Sequence, residues 1–393
     1  MEWKAKLEAS ARKRRKFRVR LVLAVLVLVL GGIAAWFISL PPTPVVRAPP
    51  PVPQSEMDAI LAALQPKKRP SRPVIAVLGI NEGTETTDFL MPYGILKRAD
   101  VADVIAVATR PGSITLFPVL EVMPEATVDQ FDAKYPEGAD YVIVPAMKRD
   151  DDPDAIRWIR KQAEKGAFVV GVCAGAMVVA NTGLLDGKRA TTHWYYEDRL
   201  LREHRNIEFV PDRRFVADEG VLTTTGISAS MPMSLTMIES IAGREKAQLV
   251  AAGLGLTYWD ARHRSDQFVF SRRFATNVVR NKAQFWSHED LGMELTPGVD
   301  EVSLALAADV WSRTFRSRAV TFSSAGGLVT TRTGLKLKPE LVSSKWNGDG
   351  QLAAVWGLPP ALALDAALAD VGRRFGKQTR EVVAIQLERG SDF

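Results

Sequence analysis

From residue 74 onward, short apolar runs alternate with amphipathic segments, and this alternation restricts the fold more than any other feature. The strand-like runs are 74–80, 102–109, 141–146, 167–172 and 221–226. The helical segments are 88–99, 153–166, 175–185 and 234–243. Strands that are apolar throughout and separated by helices are typical of a mainly parallel sheet covered on both faces. The sequence therefore predicts an α/β fold in which helices sandwich a parallel sheet.

A tight strand-to-helix turn is predicted at the only cysteine, in the sequence AFVVGVCAGA (167–176). The apolar run stops at Gly171 and helix-forming residues begin just beyond Cys173, at the carboxyl end of a strand where open parallel sheets place their ligands. The small residues Ala174 and Gly175 leave room for a substrate, and a helix N-terminus favours the thiolate. The sequence predicts a nucleophilic cysteine; the alternative is a small, buried and inert one.

The positive charge of the chain is confined to its beginning. The net charge is +6, but residues 1–20 alone hold nine Lys and Arg against Glu2 and Glu8. The remainder is therefore close to neutral, and the charge gives no support to nucleic-acid binding by the body. A single cysteine also excludes an intramolecular disulfide.

Residues 21–40 carry no charge and are long enough to cross the roughly 30 Å hydrocarbon core of a bilayer. The run is longer than a usual signal-peptide core, and no clear cleavage site precedes Pro41, so an uncleaved anchor is favoured over a cleaved signal peptide. The lipid bilayer is thus an expected partner through Leu21 to Leu40. The basic residues before the run predict the inner membrane, a cytoplasmic N-terminus and a periplasmic or extracellular body.

The next segment, residues 41–73, is rich in proline, which predicts a semi-rigid linker between membrane and body. Within it, MDAILAAL (57–64) has the periodicity of a short helix that packs on the body.

Three motifs occur together in the body: GVCAGA (171–176), LLDGKRATTHW (184–194) and GVLTTTGISAS (220–230). In combination they resemble the PfpI/ThiJ-like family of the class I glutamine amidotransferase-like superfamily, and the similarity is greatest to the sensor domain of AraC-type regulators, over about residues 74–260. The resemblance implies a flavodoxin-like sheet, with His193 of a TTH motif as partner of Cys173. It also implies that an acidic residue four before a proline, here Asp88 before Pro92, lies close to the sulfur.

His193 and Asp88 each have an alternative interpretation that is purely structural. His193 has a side chain suited to acid/base work near neutral pH, but a histidine after two threonines could equally cap a helix. Asp88 could tune the thiol or be an ordinary surface carboxylate near a helix N-terminus. The remaining histidines, His204, His263 and His288, lack metal-ligand spacing, so the sequence implies neither a metal nor another cofactor.

Backbone donors for an oxyanion, and the walls of a pocket, are expected around the cysteine. The predicted positions are Ala146, Met147, Ala174, Gly175 and Gly226. Relatives in the resembling family commonly carry two glycines where this chain has Ala146 and Met147. The methionine should narrow the pocket. This makes hydrolysis a weaker prediction but leaves the prediction of ligand binding unaffected.

The end of the chain does not resemble the helix-turn-helix domain of AraC-type regulators, because it contains strand-like runs such as 318–323 and 382–388. Instead, residues 303–324 parallel 88–109, and residues 334–346 parallel 118–131, as in a degenerate half-repeat of the first fold. Ser303 stands where Asp88 stood, so this copy lacks the chemistry. We expect it to act as an internal partner, giving a pseudo-dimer; a homo-oligomer is the alternative.

The predicted domains are therefore a basic tail (1–20), an anchor (21–40), a linker (41–73), a PfpI/ThiJ-like domain (74–290) and a half-repeat (291–393). Two functions remain open. One is a cysteine-dependent hydrolase, amidase or glyoxalase-like enzyme acting on a small molecule or peptide, with Cys173, His193 and Asp88 as catalytic residues. The other is a non-catalytic small-molecule sensor or interaction module that uses the same pocket.

Overall fold

The computed structural model describes residues 2–324, 326–352 and 357–390. Met1 and residues 325, 353–356 and 391–393, which fall in the predicted tail and half-repeat, lie outside the described residues. The α-helices are α1 Glu2–Ser39, α2 Gln54–Ala63, α3 Thr86–Ala99, α4 Val128–Lys134, α5 Pro153–Glu164, α6 Gly175–Asn181, α7 Glu197–Glu203, α8 Ser230–Ala242, α9 Arg244–Leu254, α10 Arg272–Ala283, α11 Glu301–Ser312, α12 Pro360–Phe375 and α13 Lys377–Gln386.

The strands are short. They are β1 Val74–Gly79, β2 Thr84–Glu85, β3 Asp103–Ala108, β4 Ile114–Phe117, β5 Glu121–Met123, β6 Ala126–Thr127, β7 Tyr141–Val144, β8 Phe168–Gly171, β9 Arg189–Ala190, β10 Glu208–Phe209, β11 Phe215–Asp218, β12 Val221–Thr224, β13 Glu289–Glu294, β14 Ser317–Ser323, β15 Val329–Thr330, β16 Lys336–Leu337, β17 Leu341–Val342 and β18 Gly350–Gln351.

The chain divides into two compact units, residues 1–43 with 270–276, and residues 44–269 with 277–393. The first unit contains α1, within which Lys16–Ser39 forms 24 residues that are long and apolar enough to span a membrane. Within Lys16–Ser39 the apolar side chains are exposed, except for the half-buried Phe37. An apolar N-terminal helix is thus present where the sequence predicted one.

Seven strands form the central sheet of the second unit, in the order β11-β12-β8-β7-β1-β3-β6. Every neighbouring pair is parallel except β11 and β12. Strands β1, β7 and β8 are buried at every residue, which explains why their sequences are continuously apolar instead of alternating. The prediction of a mainly parallel sheet is confirmed.

Helices cover both faces of this sheet. Ile75 and Val77 of β1 pack in one core with residues of α3 and α8. Val74, Ala76 and Leu78 pack in a second core with α5 and α6. Since neighbouring residues of a strand point to opposite faces, a strand enclosed by two helix layers needs apolar side chains at every position. The flavodoxin-like α/β sandwich predicted from the sequence is the fold observed.

A second, smaller sheet has the order β17-β14-β13-β18, and all its pairs are parallel. Its elements β13, α11 and β14 follow one another as β1, α3 and β3 do in the central sheet. A third sheet has five strands in the order β15-β16-β5-β4-β2. In it, β15 and β16 from the C-terminal region pair with the β4-β5 hairpin.

Helices α3 and α11 pack side by side between the two sheets. At Gly94 of α3, an added Cβ would lie 2.5 Å from Glu301 Oε1 and 2.7 Å from a methyl group of Val302, so the two helices approach closely there. Two ion pairs cross this junction in opposite directions: Arg98 with Asp300 at 3.0 Å, and Arg313 with Glu85 at 2.7 Å.

One secondary-structure prediction is wrong. The run 382–388 was expected to be a strand, but it lies mostly in helix α13, which ends at Gln386. The buried residues Thr379, Val382 and Val383 recur at helical spacing and face the core. A short run rich in valine and isoleucine does not by itself distinguish a strand from a buried helix, and here the packing of the helix stripe decided the outcome.

Candidate functional site

Cys173 lies on the turn between β8 and α6 in the left-handed backbone region, with φ of 58°. A non-glycine residue held there is strained by about 1–3 kcal/mol, so its surroundings must hold it in place. Two threonine hydroxyl groups do so: the Cys173 N–H donates to Thr224 Oγ1 at 3.0 Å, and Thr192 Oγ1 donates to the Cys173 carbonyl at 3.1 Å. The segments that carry the second and third sequence motifs thus clamp the first.

Glycine is required immediately after this turn. A Cβ on Gly175 would lie 2.0 Å from the carbonyl oxygen of Val144, the last residue of β7. That distance is far inside van der Waals contact, so no side chain fits without moving the backbone. The Gly-x-Cys-x-Gly spacing therefore reflects the close approach of α6 to the sheet.

Cys173 opens onto a cavity of about 290 Å³ beyond the carboxyl ends of the strands. Its walls carry both cationic and anionic side chains beside apolar ones: Glu85, Phe117, Ala146, Met147, Lys148, Asp150, Cys173, Ala174, His193, Tyr196, Arg199, Ile227 and Arg313. Of the residues predicted from the sequence, the cavity brings together Cys173, His193, Ala146, Met147 and Ala174. Asp88, Gly175 and Gly226 lie outside its lining.

Asp88 is completely buried near the start of α3. Its Oδ2 accepts a hydrogen bond from the Ala146 N–H at 3.2 Å, whereas its Oδ1 is buried without a hydrogen-bond partner among the described residues. Burial, reinforced by the neighbouring carboxylate of Glu85, raises the pKa of Asp88 well above its ordinary value. The side chain therefore favours the neutral carboxylic acid, which can donate a proton.

The prediction that the surroundings of Cys173 favour its thiolate is wrong. Burial raises the pKa of the Cys173 thiol well above its ordinary value, and Asp88, Glu85 and Glu388 raise it further. A hydrogen bond from the Ala174 N–H lowers the thiol pKa, but by less than the other effects raise it. Helix α6 has only seven residues, so its dipole is weak against burial and three acidic neighbours.

His193 uses both ring nitrogens within the protein. Nδ1 accepts a hydrogen bond from the Tyr195 N–H at 3.2 Å and thereby caps the single helical turn Trp194–Tyr196. Nε2 lies 2.9 Å from the Gln386 carbonyl, which requires that Nε2 carry the hydrogen and donate it. Burial lowers the pKa of His193, so the ring is neutral at pH 7. His193 therefore caps a helical turn, as in the structural alternative given above. A role of His193 in acid/base catalysis stays a prediction.

Several of the expected oxyanion donors are also engaged. The Ala146 N–H is bound to Asp88, and the Gly175 N–H donates to the Val172 carbonyl at 2.7 Å. At Gly226 an added Cβ would lie 2.8 Å from the His193 ring, so this glycine makes room for the histidine rather than lining the cavity. Ala174 and Met147 border the cavity directly, and the narrowing of the cavity by Met147 stays a prediction.

Sequence reasoning missed Arg313, which reaches the cavity from the end of α11. Its guanidinium pairs with Glu85 at 2.7 Å and with Asp309 at 2.6 Å. Burial, followed by Asp309, raises the pKa of Glu85 to about 7, although Arg313 acts to lower it. A signal was available: within the aligned segments, Arg313 stands where Arg98 stands in the first copy.

Glu388 was missed as well, and no local pattern marks it. It is buried near the end of the chain, accepts a hydrogen bond from the Trp194 N–H at 2.8 Å, and lies 3.3 Å from His263 Nε2. Burial acts to raise the pKa of Glu388, but His193, His263 and backbone donors outweigh it and leave the pKa lowered. The end of the chain thus holds the His193 loop in place.

We expect alkylation of Cys173 by iodoacetamide, followed against pH on the full chain in mild detergent, to have its midpoint well above that of the same chain in denaturant. A raised pKa means that the reactive thiolate forms only at higher pH. The same chain in denaturant should react like an ordinary thiol, which provides the control. Asp88→Asn should lower the midpoint, because it removes a carboxyl group that disfavours the thiolate. A midpoint in the folded wild type at or below that of the denatured chain would contradict this description.

Comparison with known proteins gives the same domain. Residues 74–240 match the model of the DJ-1/PfpI family. Isonitrile hydratase of Pseudomonas putida is 39% identical over 101 residues, which cover 25% of this chain and 42% of the relative. The HTH-type transcriptional regulator CdhR of Pseudomonas aeruginosa is 32% identical over 99 residues, covering 25% and 29%. The chain therefore spans less than half the length of either of these relatives.

Among solved structures, an AraC family transcriptional regulator from Pseudomonas putida aligns with a TM-score of 0.41 at 18% identity, over 46% of this chain and 98% of that one. The match to the family model confirms the family resemblance read from the three motifs. Residues 74–240 of this chain form a domain of the DJ-1/PfpI family, and proteins similar to this part of the chain include an HTH-type transcriptional regulator and the protein dj-1beta of Drosophila melanogaster.

Proposed function

We propose that this chain is a cysteine-dependent enzyme that adds the sulfur of Cys173 to a small electrophilic molecule, with Asp88 as proton donor. The observation that carries the proposal is the pairing of a strained, cavity-facing cysteine with a buried acid whose Oδ1 lacks a hydrogen-bond partner. The two side chains interact electrostatically, and both favour the neutral form. A neutral acid near a thiol is suited to protonating the atom that becomes negative when sulfur attacks.

The protonation states favour addition over amide hydrolysis. A thiol held protonated is a weak nucleophile toward an unactivated amide, whereas an aldehyde accepts it readily when its oxygen is protonated at the same time. In that step the S–C bond forms and the C=O π electrons move to oxygen. Because Asp88 lies outside the cavity lining, its proton reaches the oxygen through a relaying water, and the thiol proton passes back to the carboxylate by the same route. No oxidant or reductant is needed, and the product is a thiohemiacetal.

The size of the cavity limits the substrate to a small molecule. At about 290 Å³ it lies near the lower end of the range of small-molecule sites. An α-oxoaldehyde or an isonitrile fits this space better than an extended peptide. The similarity of part of the chain to an isonitrile hydratase supports including isonitriles among the candidates.

The test is to incubate the full chain in detergent with a panel of α-oxoaldehydes, isonitriles and small amides. We expect an aldehyde or isonitrile to be consumed, and Cys173→Ser and Asp88→Asn each to reduce the rate at least about 100-fold, the usual effect of losing a nucleophile or general acid. Ser303→Ala, which changes the position in the second sheet region that aligns with Asp88, should leave the rate unchanged. Equal consumption by wild type and Cys173→Ser would refute the enzyme proposal.

A sensor is the second candidate, favoured by the engaged ring nitrogens of His193 and by the similarity to a transcriptional regulator. A sensor needs the pocket but not the sulfur. If panel compounds bind reversibly, are not consumed, and bind Cys173→Ala as tightly as wild type, the sensor replaces the enzyme.

We further propose that α1 anchors the chain in the inner membrane through Leu21 to Leu40, with the body outside the cytoplasm. The length and exposure of Lys16–Ser39 and the preceding basic residues support this. Protease added to intact spheroplasts should cleave the chain beyond Pro41, while an epitope tag placed before Met1 stays protected. A body that is protected until the spheroplasts are lysed would reverse the topology.

We also propose that the C-terminal region, predicted as 291–393 and beginning with β13 at Glu289, is a degenerate half-repeat that serves as an internal partner of the first domain. The matching order of β13, α11 and β14 supports it. The two ion pairs that cross the junction in opposite directions, Arg98 with Asp300 and Arg313 with Glu85, are what a pseudo-twofold relationship would produce.

A further inference from the structure

Two adjacent aromatic side chains are exposed just after α10. Phe285 is 76% and Trp286 is 74% exposed, and their rings contact each other edge to face at 5.2 Å. Val279, one and a half turns earlier in the helix, is 63% exposed. Large aromatic residues contribute the most to burial when covered, so a pair left in water marks a surface that meets something.

The charged residues in the segment that leads up to this pair are all basic, and Glu289 and Asp290 follow only after His288. From Gln267 to His288 the sequence contains no Asp or Glu, but it contains Arg272, Arg273, Arg280 and Lys282. Arg280 and Lys282, which precede the aromatic residues in the sequence, are exposed, and the Lys282 ammonium lies 4.9 Å from the centre of the Phe315 ring. We call Val279, Arg280, Lys282, Phe285 and Trp286 the aromatic surface. Exposed aromatic residues among basic ones are the composition of segments that lie in the interface of an anionic bilayer.

Helix α10 begins next to the end of the apolar helix. Residues 270–276 belong to the same compact unit as α1. There the Arg272 N–H donates to the Pro41 carbonyl at 3.0 Å, and Arg272 Nε donates to the Leu40 carbonyl at 2.8 Å. If Leu21 to Leu40 spans the bilayer, Leu40 and Pro41 lie at its surface, and the first turn of α10 lies there with them.

We propose that the aromatic surface docks on the bilayer, with Phe285 and Trp286 inserted between lipid headgroups and with Arg280 and Lys282 against anionic phosphates. The inference rests on the proposed anchor, which supplies the bilayer and keeps it at high effective concentration. Its consequence is that the body is held at the membrane surface instead of moving freely at the end of a linker. The occupant is a lipid surface, and a second copy or a protein partner is an alternative that the experiment separates.

The experiment uses the full chain in the Cys173→Ala background, with one nitroxide-labelled cysteine at a time, in nanodiscs of phosphatidylcholine and phosphatidylglycerol. Collision rates with oxygen, which concentrates in the bilayer, and with a water-soluble nickel chelate give the depth of each label. Phe285→Cys tests the surface and Leu28→Cys tests the anchor. Leu249→Cys in α9, which is 72% exposed in the described structure, is the matched aqueous control.

We expect the label at position 285 to collide more with oxygen than with nickel, the label at 28 to do so more strongly, and the label at 249 to show the reverse. Arg280→Glu with Lys282→Glu should move the label at 285 toward water. A water-like label at 285 with a bilayer-like label at 28 overturns the inference and leaves the anchor standing. Shielding of position 285 from both reagents indicates a protein interface and also overturns it. A water-like label at 28 overturns the anchor and this inference with it.

Discussion

Replacing Arg313 by methionine should lower the free energy of unfolding by about 3 kcal/mol, the lower end of the range for breaking a buried ion pair. Glu85 and Asp309 are 3% and 0% exposed, and both would lose the cation that pairs with them. About a fifth of the Arg313 side chain reaches solvent, which reduces the expected loss of stability. Thermal unfolding of the full chain in detergent measures the change.

The loss should grow as the pH rises through about 7. Burial raises the pKa of Glu85 to about 7 and also raises the pKa of Asp309, while the unfolded carboxyl groups ionise near pH 4. An acid with a raised pKa in the folded state destabilises the fold as pH rises from its unfolded to its folded pKa. Without Arg313 the folded pKa values rise further, so the stability of the variant keeps falling at pH values where the stability of the wild type has levelled off.

Arg98→Met is the matched control. Arg98 pairs with Asp300 and Glu301, which are 7% and 0% exposed, so the stability loss should be similar. Arg98 does not line the Cys173 cavity, whereas Arg313 lines it and interacts electrostatically with Cys173. Only Arg313→Met should therefore slow alkylation of Cys173 at pH 8, about tenfold for each unit by which the thiol pKa rises. Equal effects of both variants on the cysteine would refute a role of Arg313 in the cavity.

Ending the chain after His288 should make the remaining protein dimerise or aggregate. This truncation removes β13 and everything beyond it, including α11, which packs along α3. Helix α3 is buried at most of its positions, among them Phe89, Leu90 and Ile95, and part of that apolar surface would face water. Light scattering of the truncated chain in detergent, with a dye that binds apolar surface, measures both effects.

Gly94→Leu provides a second variant that keeps the whole chain. The new side chain would meet Glu301 and Val302 at the closest approach of α3 and α11, so it should separate the two helices and expose the same surface. Gly253→Leu, at a glycine of α9 with no atom near an added Cβ, is the control for changing a helical glycine. A truncated chain that stays monomeric with unchanged melting temperature would show that the C-terminal region is an independent module.

The sequence alone was sufficient for the features that depend on local pattern. The continuous apolar runs of β1, β7 and β8 can be satisfied only by a sheet covered on both faces, and so the α/β sandwich followed. The Gly-x-Cys-x-Gly spacing predicted the turn that carries Cys173, because the contact of Gly175 with Val144 tolerates no other residue. The twenty uncharged residues from Leu21 likewise predicted the apolar helix.

Only the tertiary structure decided the chemistry of the site. The pKa of Cys173 depends on burial and on Asp88, Glu85 and Glu388, which come from distant parts of the chain, so the local helix dipole was a poor guide. Arg313 enters the cavity because α11 packs on α3, and the run 382–388 is largely helical because its valines face a core that exists only after folding. Ionisation and packing both sum contributions over space, whereas a sequence pattern reports only neighbours along the chain.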